Sequence, residues 1–181
     1  MAYVAGVTHA LNAVADGLRL PLEFSPSGRQ PLLPLPDLAE LPAEARAVFE
    51  EIREFYGVER PPAVFRWMAR DAGFLQSYWA ATRHAFSDRA LDRGMKEILA
   101  FAASMTGKSD YGVDFHLREA RRLGLTDQAL TEAVEVVQLF NTVTKIADAI
   151  CLQPDFDVRP SNRTGVDGPA ASGTPTPSRT A

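Results

Sequence analysis

The residues of this chain best equipped to move a proton fall in one stretch, from Met95 to His116. Glu97 shares a helical face with Phe101 and Ser104. Its carboxyl can therefore lie against apolar surface, where loss of water tunes an acid group for proton transfer. His116 shares its face with Gly112, Val113 and Ala120. Glycine inside a helix costs roughly 1 kcal/mol against alanine unless something comes close to the backbone there. A small residue one turn before an inward-facing histidine thus predicts a hollow with an acid–base group in its wall. Periodicity leaves a plainer reading open for each residue: a solvated glutamate on a long helix, and a hydrogen-bonded histidine of the core.

Other chemistries have less to work with. Cys151 is the single cysteine, so no subunit can run a two-thiol redox cycle by itself. Its position near the inner face of the last helix reads as a small buried hydrophobe. His116, Asp110 and Asp114 lack the spacing of zinc or two-iron helical signatures, so no metal and no other cofactor is expected. The sequence has no nucleophile elbow, phosphate loop or dinucleotide fingerprint. Asp114 can pair with Arg118 at i,i+4, with Arg121 and Arg122 extending a charged outer face. His9 and His84 have no companions that suggest a site.

The elements that must position these groups are helical throughout. Val4, Val7, Leu11, Val14 and Leu18 recur at steps of three and four, which predicts an N-terminal helix over residues 1–20. Residues 21–40 carry Pro21, Pro26, Pro31, Pro34 and Pro36 with Gly28 and read as an extended connection. A helical core is expected over 41–153. In it, Val48, Ile52 and Phe55 mark a helix stopped by Gly57, and Pro61-Pro62 start a short one. Gly73 is read as a break before a helix bearing Leu75, Tyr78, Trp79, Thr82 and Phe86. Ser87 or Asp88 is read as the cap of a long helix to about Thr106. Ser109 or Asp110 caps the next, which stops at Gly124, and Thr126 caps a last helix through Val134, Val137, Phe140, Val143, Ile146 and Ile150. Residues 154–181, rich in Pro, Ser, Thr and Gly, are expected to be a disordered tail.

With 181 residues, 46% hydrophobic and 23% charged, the chain fits one soluble domain with a closed core. A net charge of −4 and the lack of a basic stripe argue against nucleic acid as a partner. The first twenty residues have no basic leader and contain Asp16 and Arg19, so a cytoplasmic start is expected. No apolar run reaches the roughly 18 to 20 residues that a membrane span needs. Asn162-Arg163-Thr164 fits a glycosylation pattern, but without an export signal it reads as a chance match.

From about Pro42 to Leu152 the sequence resembles the alkyl hydroperoxidase D (AhpD)-like and carboxymuconolactone decarboxylase superfamily. The resemblance rests on Glu97, the helix break, and Ser109-Asp110-Tyr111-Gly112-Val113-Asp114-Phe115-His116-Leu117-Arg118-Glu119-Ala120. The run Phe140-Asn141-Thr142-Val143-Thr144-Lys145-Ile146-Ala147-Asp148-Ala149 is similar to the last core helix of the peroxidase-related branch. Peroxidase members read Cys-x-Tyr-Cys-x-x-x-His, with a glutamate on the preceding helix completing a proton relay. Aligned on His116, the glutamate falls at Glu97 and the tyrosine at Tyr111, while Ser109 and Gly112 stand at the two cysteine positions. Decarboxylase members also lack the thiols and keep a histidine before a stretch like His116-Leu117-Arg118-Glu119-Ala120, but this chain keeps Glu97 as well.

The resemblance implies an all-α, AhpD-like helical bundle built on a helical hairpin with flanking helices, and a homo-oligomer, trimer or hexamer. It implies cofactor-free acid–base chemistry, decarboxylation or isomerisation, on a small lactone or keto acid. Glu97 and His116 would be the proton-transfer pair, with Tyr111 and Ser109 donating hydrogen bonds to a developing enolate. Gly112, Asp110, Phe101 and Trp79 would line the substrate. Two alternatives stand beside this: a non-catalytic binding or assembly protein, and a peroxidase-related antioxidant protein, which the missing thiols disfavour.

Overall fold

A computed structural model describes residues 2–22 and 32–153. Part of the expected extended connection and the whole of the expected tail lie outside the described residues. Among the described residues seven α-helices follow one another: α1 Ala2–Gly17, α2 Ala43–Tyr56, α3 Ala63–Met68, α4 Ala72–Phe86, α5 Arg93–Thr106, α6 Asp110–Arg122 and α7 Asp127–Ala149. A single 3-10 turn, Leu38–Glu40, precedes α2. No strand occurs among the described residues, and no helix there is long and apolar enough to cross a membrane.

Helices α5 and α6 form the central hairpin, with α1 laid against both and α7 against α5. The core beside it gathers Phe49, Ile52, Tyr56, Phe65, Met68, Leu75, Trp79 and Phe115 from α2, α3, α4 and α6. Aromatic rings interlock there, with Trp79 edge-on to both Phe55 and Phe65 and Tyr56 edge-on to Phe115. Such edge-to-face pairs fix ring orientation beyond what area burial alone would do.

Several helix ends fall where the sequence puts them. Gly57 closes α2 in the left-handed region at φ 62°, which a residue without Cβ adopts without penalty. Pro62 precedes α3. Ser109 and Thr126 cap α6 and α7 through their hydroxyls.

Other boundaries differ. Gly73 lies inside α4, whose start is set by Asp71 accepting the Phe74 amide at 2.9 Å. The cap of α5 is Asp92, not Ser87 or Asp88; its carboxylate takes the Met95 amide at 2.7 Å. Ser87 instead ends α4. Three acidic or hydroxyl residues within six positions could each satisfy an orphan amide, and hydrophobic spacing does not choose among them.

The largest departure is α7. Leu130 is its one buried residue, while Val136, Leu139, Phe140, Val143 and Ile146 are exposed within it, and Ile150 and Leu152 beyond its end. Its periodicity is that of an apolar stripe, but the other described residues leave it uncovered. Cys151 is likewise exposed rather than buried, because it falls past the end of the helix in a left-handed turn at φ 54°.

On α1 the inward face is not the expected all-aliphatic one. Val4, Leu11 and Ala15 are buried together with Thr8 and Asn12, while Val7, Val14 and Leu18 sit at the flanks. Tyr78 ties α4 to this helix by donating its hydroxyl to the Val7 carbonyl at 2.9 Å.

Burial pushes the Tyr78 phenol up to about 12, and it also raises Tyr56 and Tyr111 above the ordinary value of 10. A raised phenol pKa means the folded chain holds the proton more tightly than the unfolded one. The corresponding stability is therefore complete below pH 10 and drains away as pH climbs from 10 toward about 12. Urea midpoints measured across that window should fall, and Tyr78→Phe should flatten the fall. A midpoint independent of pH there would show that these phenols are not protected by the fold.

Candidate functional site

The turn between α5 and α6 spans Gly107, Lys108 and Ser109. The Gly107 amide donates to Ala103 at 2.8 Å, the Ser109 amide to Ser104 at 3.0 Å, and Lys108 takes the left-handed conformation at φ 54°. The Ser109 hydroxyl then accepts the Gly112 amide at 3.0 Å and starts α6. This tight reversal sets the two helices antiparallel, so that Glu97 on one meets His116 on the other.

The meeting is a hydrogen bond of 2.7 Å between His116 Nδ1 and Glu97 Oε2. Glu97 has no exposed surface and His116 has 2%. The imidazole is stacked on Phe86 at 5.9 Å between centroids and 7° between planes, and meets Phe115 edge-on at 5.1 Å. Its ring plane is held by packing on two sides.

Charge around Glu97 is balanced by residues the sequence reading passed over. Arg93, one turn before it, brings Nε to 3.6 Å from Oε1. The same guanidinium pairs with Glu119, donates to the Phe55 carbonyl at 2.8 Å, and lies 3.6 Å above the Phe55 ring. Glu119 also accepts two bonds from Arg122, each of 2.7 Å. That carboxylate holds the Arg122 guanidinium above its ordinary pKa.

Two carboxylates and two guanidinium groups cancel, so the cluster is neutral when the imidazole is neutral. In that state the proton on Nδ1 points at the carboxylate, and Nε2 carries the lone pair. The i,i+4 spacing of Arg93 to Glu97 was a readable signal for this partner. That Glu119 would join Arg122, which reads as part of a charged outer face, and close the cluster was not. Asp114 and Arg118 do form their predicted pair, at 3.0 Å.

The remaining candidate residues are distributed around this pair, and not all reach it. Ser109 is buried at the hairpin turn as the α6 cap. Tyr111 aims its hydroxyl at the start of α3, accepting the Val64 amide at 3.3 Å. Phe101 is buried in α5. Trp79 donates its indole N–H to Glu51 at 2.9 Å and lines a cavity of about 410 Å³ with Phe55, Arg83 and Arg93. Asp110 borders a separate cavity of about 240 Å³ with Asp16 and Arg19 of the α1 end.

The hollow expected beside Gly112 is filled. A Cβ on that residue would stand 2.2 and 2.4 Å from the two polar atoms of the Asn12 side chain and 2.5 Å from Ser104 Oγ. Asn12 Nδ2 donates to that hydroxyl at 2.9 Å, and Ser104 passes its own proton to the Ala100 carbonyl at 2.8 Å. The glycine is required because α1 comes this close, which no pattern within 95–116 could disclose. Among the described residues no group of three His, Cys, Asp or Glu is placed to hold a metal ion.

The family model for the carboxymuconolactone decarboxylase family matches residues 72–151, a span that holds α4 through α7 with Glu97 and His116. A crystal structure of the alkylhydroperoxidase AhpD core from Rhodospirillum rubrum superposes with a TM-score of 0.64 at 27% identity, covering 68% of this chain and 93% of that one. No curated protein matches the sequence.

Removing one partner of a buried ionic pair strands the other, at a cost of about 3–5 kcal/mol, whereas replacing both by apolar groups is often neutral or better. His116→Leu should therefore lower stability sharply, and Glu97→Leu combined with His116→Leu should recover much of the loss in a urea titration. A double variant as unstable as the single one would mean that the pair itself holds the hairpin together.

Proposed function

The chain belongs to the AhpD-like and carboxymuconolactone decarboxylase superfamily, and from that premise we propose a cofactor-free cytoplasmic enzyme that uses Glu97 and His116 for acid–base chemistry on a small lactone or keto acid. The observation that carries this reading is the 2.7 Å bond from His116 Nδ1 to Glu97. It orients the ring and leaves Nε2 as the proton acceptor.

In an isomerisation, His116 Nε2 removes a proton from the carbon beside a carbonyl, the electron pair moves to the carbonyl oxygen as an enolate, and the imidazolium returns the proton to another carbon. In a decarboxylation the carbon–carboxylate bond breaks, CO2 leaves, the electron pair forms the enolate, and the carbon left behind takes a proton from His116 that has first been protonated on Nε2 from solvent. The Ser109 hydroxyl, which accepts from Gly112, keeps a proton to give to the enolate oxygen. Tyr111 takes part by holding α3 against α6. Trp79 and Phe101 would supply apolar substrate contact, whereas Gly112 faces Asn12 and Asp110 a separate cavity, so neither is assigned a contact with substrate.

Proton transfer from a placed side chain contributes roughly 100- to 10,000-fold to a rate. His116→Ala and Glu97→Gln should each lower turnover of a responsive lactone or keto acid by at least about the lower of those factors. Equal turnover in wild type and His116→Ala would end this assignment. A peroxidase reading asks for a thiolate and a resolving thiol, and the exposed Cys151 lies past the end of α7. The enclosure of the pair favours one other reading, a binding or assembly protein that has kept the buried charges without the chemistry.

The same proposal includes self-association as a trimer or hexamer. Its support is the stripe Val136, Leu139, Phe140, Val143, Ile146, Ile150 and Leu152, more apolar surface in one row than a monomer ordinarily leaves in water. Light scattering should give a multiple of 19.8 kDa, and Phe140→Glu should reduce it to one; a monomeric wild-type protein would refute the oligomer.

A further inference from the structure

We propose that Arg93 is a positioning residue for His116, acting through Glu97: its charge keeps the lone pair on Nε2. The inference rests on the reading that Nε2 is the working base.

Arg93 is held at three points that do not involve Glu97. It donates to the Phe55 carbonyl at 2.8 Å, pairs with Glu119 and lies 3.6 Å above the Phe55 ring. Toward Glu97 it presents Nε, 3.6 Å from Oε1, and neither of these two atoms has a hydrogen-bond partner among the described residues. The hydrogen bond of the carboxylate goes to His116 through its other oxygen. What Glu97 receives from Arg93 is therefore charge, delivered at a fully buried site where solvent screens it little.

The other titratable groups on the surrounding helices are committed elsewhere. Glu119 and Arg122 pair with each other on α6, and Asp114 with Arg118. Lys96, beside Glu97 in sequence, turns its ammonium to the Ser87 carbonyl at the end of α4. Burial first, and the Glu97 charge second, raise the Tyr56 phenol of α2, so it stays neutral. On α1 the buried polar residues are the uncharged Thr8 and Asn12, and His9 lies on Gly107 at the hairpin turn. From α7 only Leu130 is buried.

Without Arg93, Glu97 and Glu119 stand against Arg122 alone, with one negative charge in excess. An uncompensated buried charge is relieved most cheaply by taking a proton from solvent. That proton has two places to go. On Nε2 it makes an imidazolium. On Glu97 it makes a carboxyl that donates to Nδ1, so that the single proton of the ring moves to Nε2. Either way Nε2 carries a proton and has no lone pair left to accept one.

Nitrogen-15 NMR of the His116 ring reads this without substrate. Near neutral pH, Arg93→Met should lower the ratio of free to protonated Nε2 about tenfold or more against the wild type, the usual effect of one neighbouring charge. Arg93→Gln, which keeps a polar donor without the charge, should do the same. Arg93→Lys keeps the charge but loses the planar fork on Phe55 and Glu119, and it should retain the lone pair. Arg93→Met combined with Glu119→Gln removes one cation and one anion. It should retain the lone pair too, although it disrupts more contacts than Arg93→Met alone. Turnover of Arg93→Met should recover toward the wild-type rate as pH is raised and the added proton leaves.

A wild-type ratio in folded Arg93→Met or Arg93→Gln would overturn the role of Arg93. So would a protonated Nε2 in Arg93→Lys or in the double variant, which would make contact rather than charge the cause. Failure of the catalytic assignment shows elsewhere, as undiminished turnover in His116→Ala.

Discussion

A carboxylate stripped of all water is stable only where donors and cations reach it, and Glu97 gets them from its own helix and the one opposite. Arg93 stands one turn before it and His116 faces it across the hairpin. Glu119 and Arg122 then neutralise the Arg93 side of the cluster, and the Phe55 carbonyl at the end of α2 binds Arg93 in turn. A slip of one residue between α5 and α6 would break both bonds that cross the hairpin, Glu97 to His116 and Arg93 to Glu119. The short turn through Lys108, with its left-handed backbone, fixes that register.

Much of this could be read from the sequence, for identifiable reasons. Glu97 and His116 showed themselves because an acid and an imidazole flank a hairpin turn marked by Gly107 and Ser109. The caps at Gly57, Ser109 and Thr126 showed themselves because αL glycine and hydroxyl capping are local chemistry. What stayed hidden depends on distant chain. Gly112 looked like one side of a hollow, and only the approach of Asn12 from 100 residues earlier turns it into a contact. The stripe on α7 looked like core because periodicity reports an apolar face without saying which molecule covers it. Cys151 shared that error, as its neighbours on the stripe did.

The proposed chemistry and the enclosure of the pair pull in opposite directions. A base works best with its partner fixed and water kept out, which the Phe86 and Phe115 rings and the burial of Glu97 achieve. On the proposed function a substrate must still reach Nε2. Helix α1 lies along the hairpin and buries Val4, Leu11 and Ala15 together with Thr8 and Asn12.

The central claim is that Glu97 holds His116 in one tautomer, with the proton on Nδ1 and the lone pair on Nε2. Nitrogen-15 NMR of the histidine ring measures this directly. The account predicts a protonated Nδ1 and an unprotonated Nε2 for His116 near neutral pH, with the Nδ1 proton shifted downfield by its bond to Glu97. A ring carrying its proton on Nε2, or averaging freely between tautomers, would contradict it.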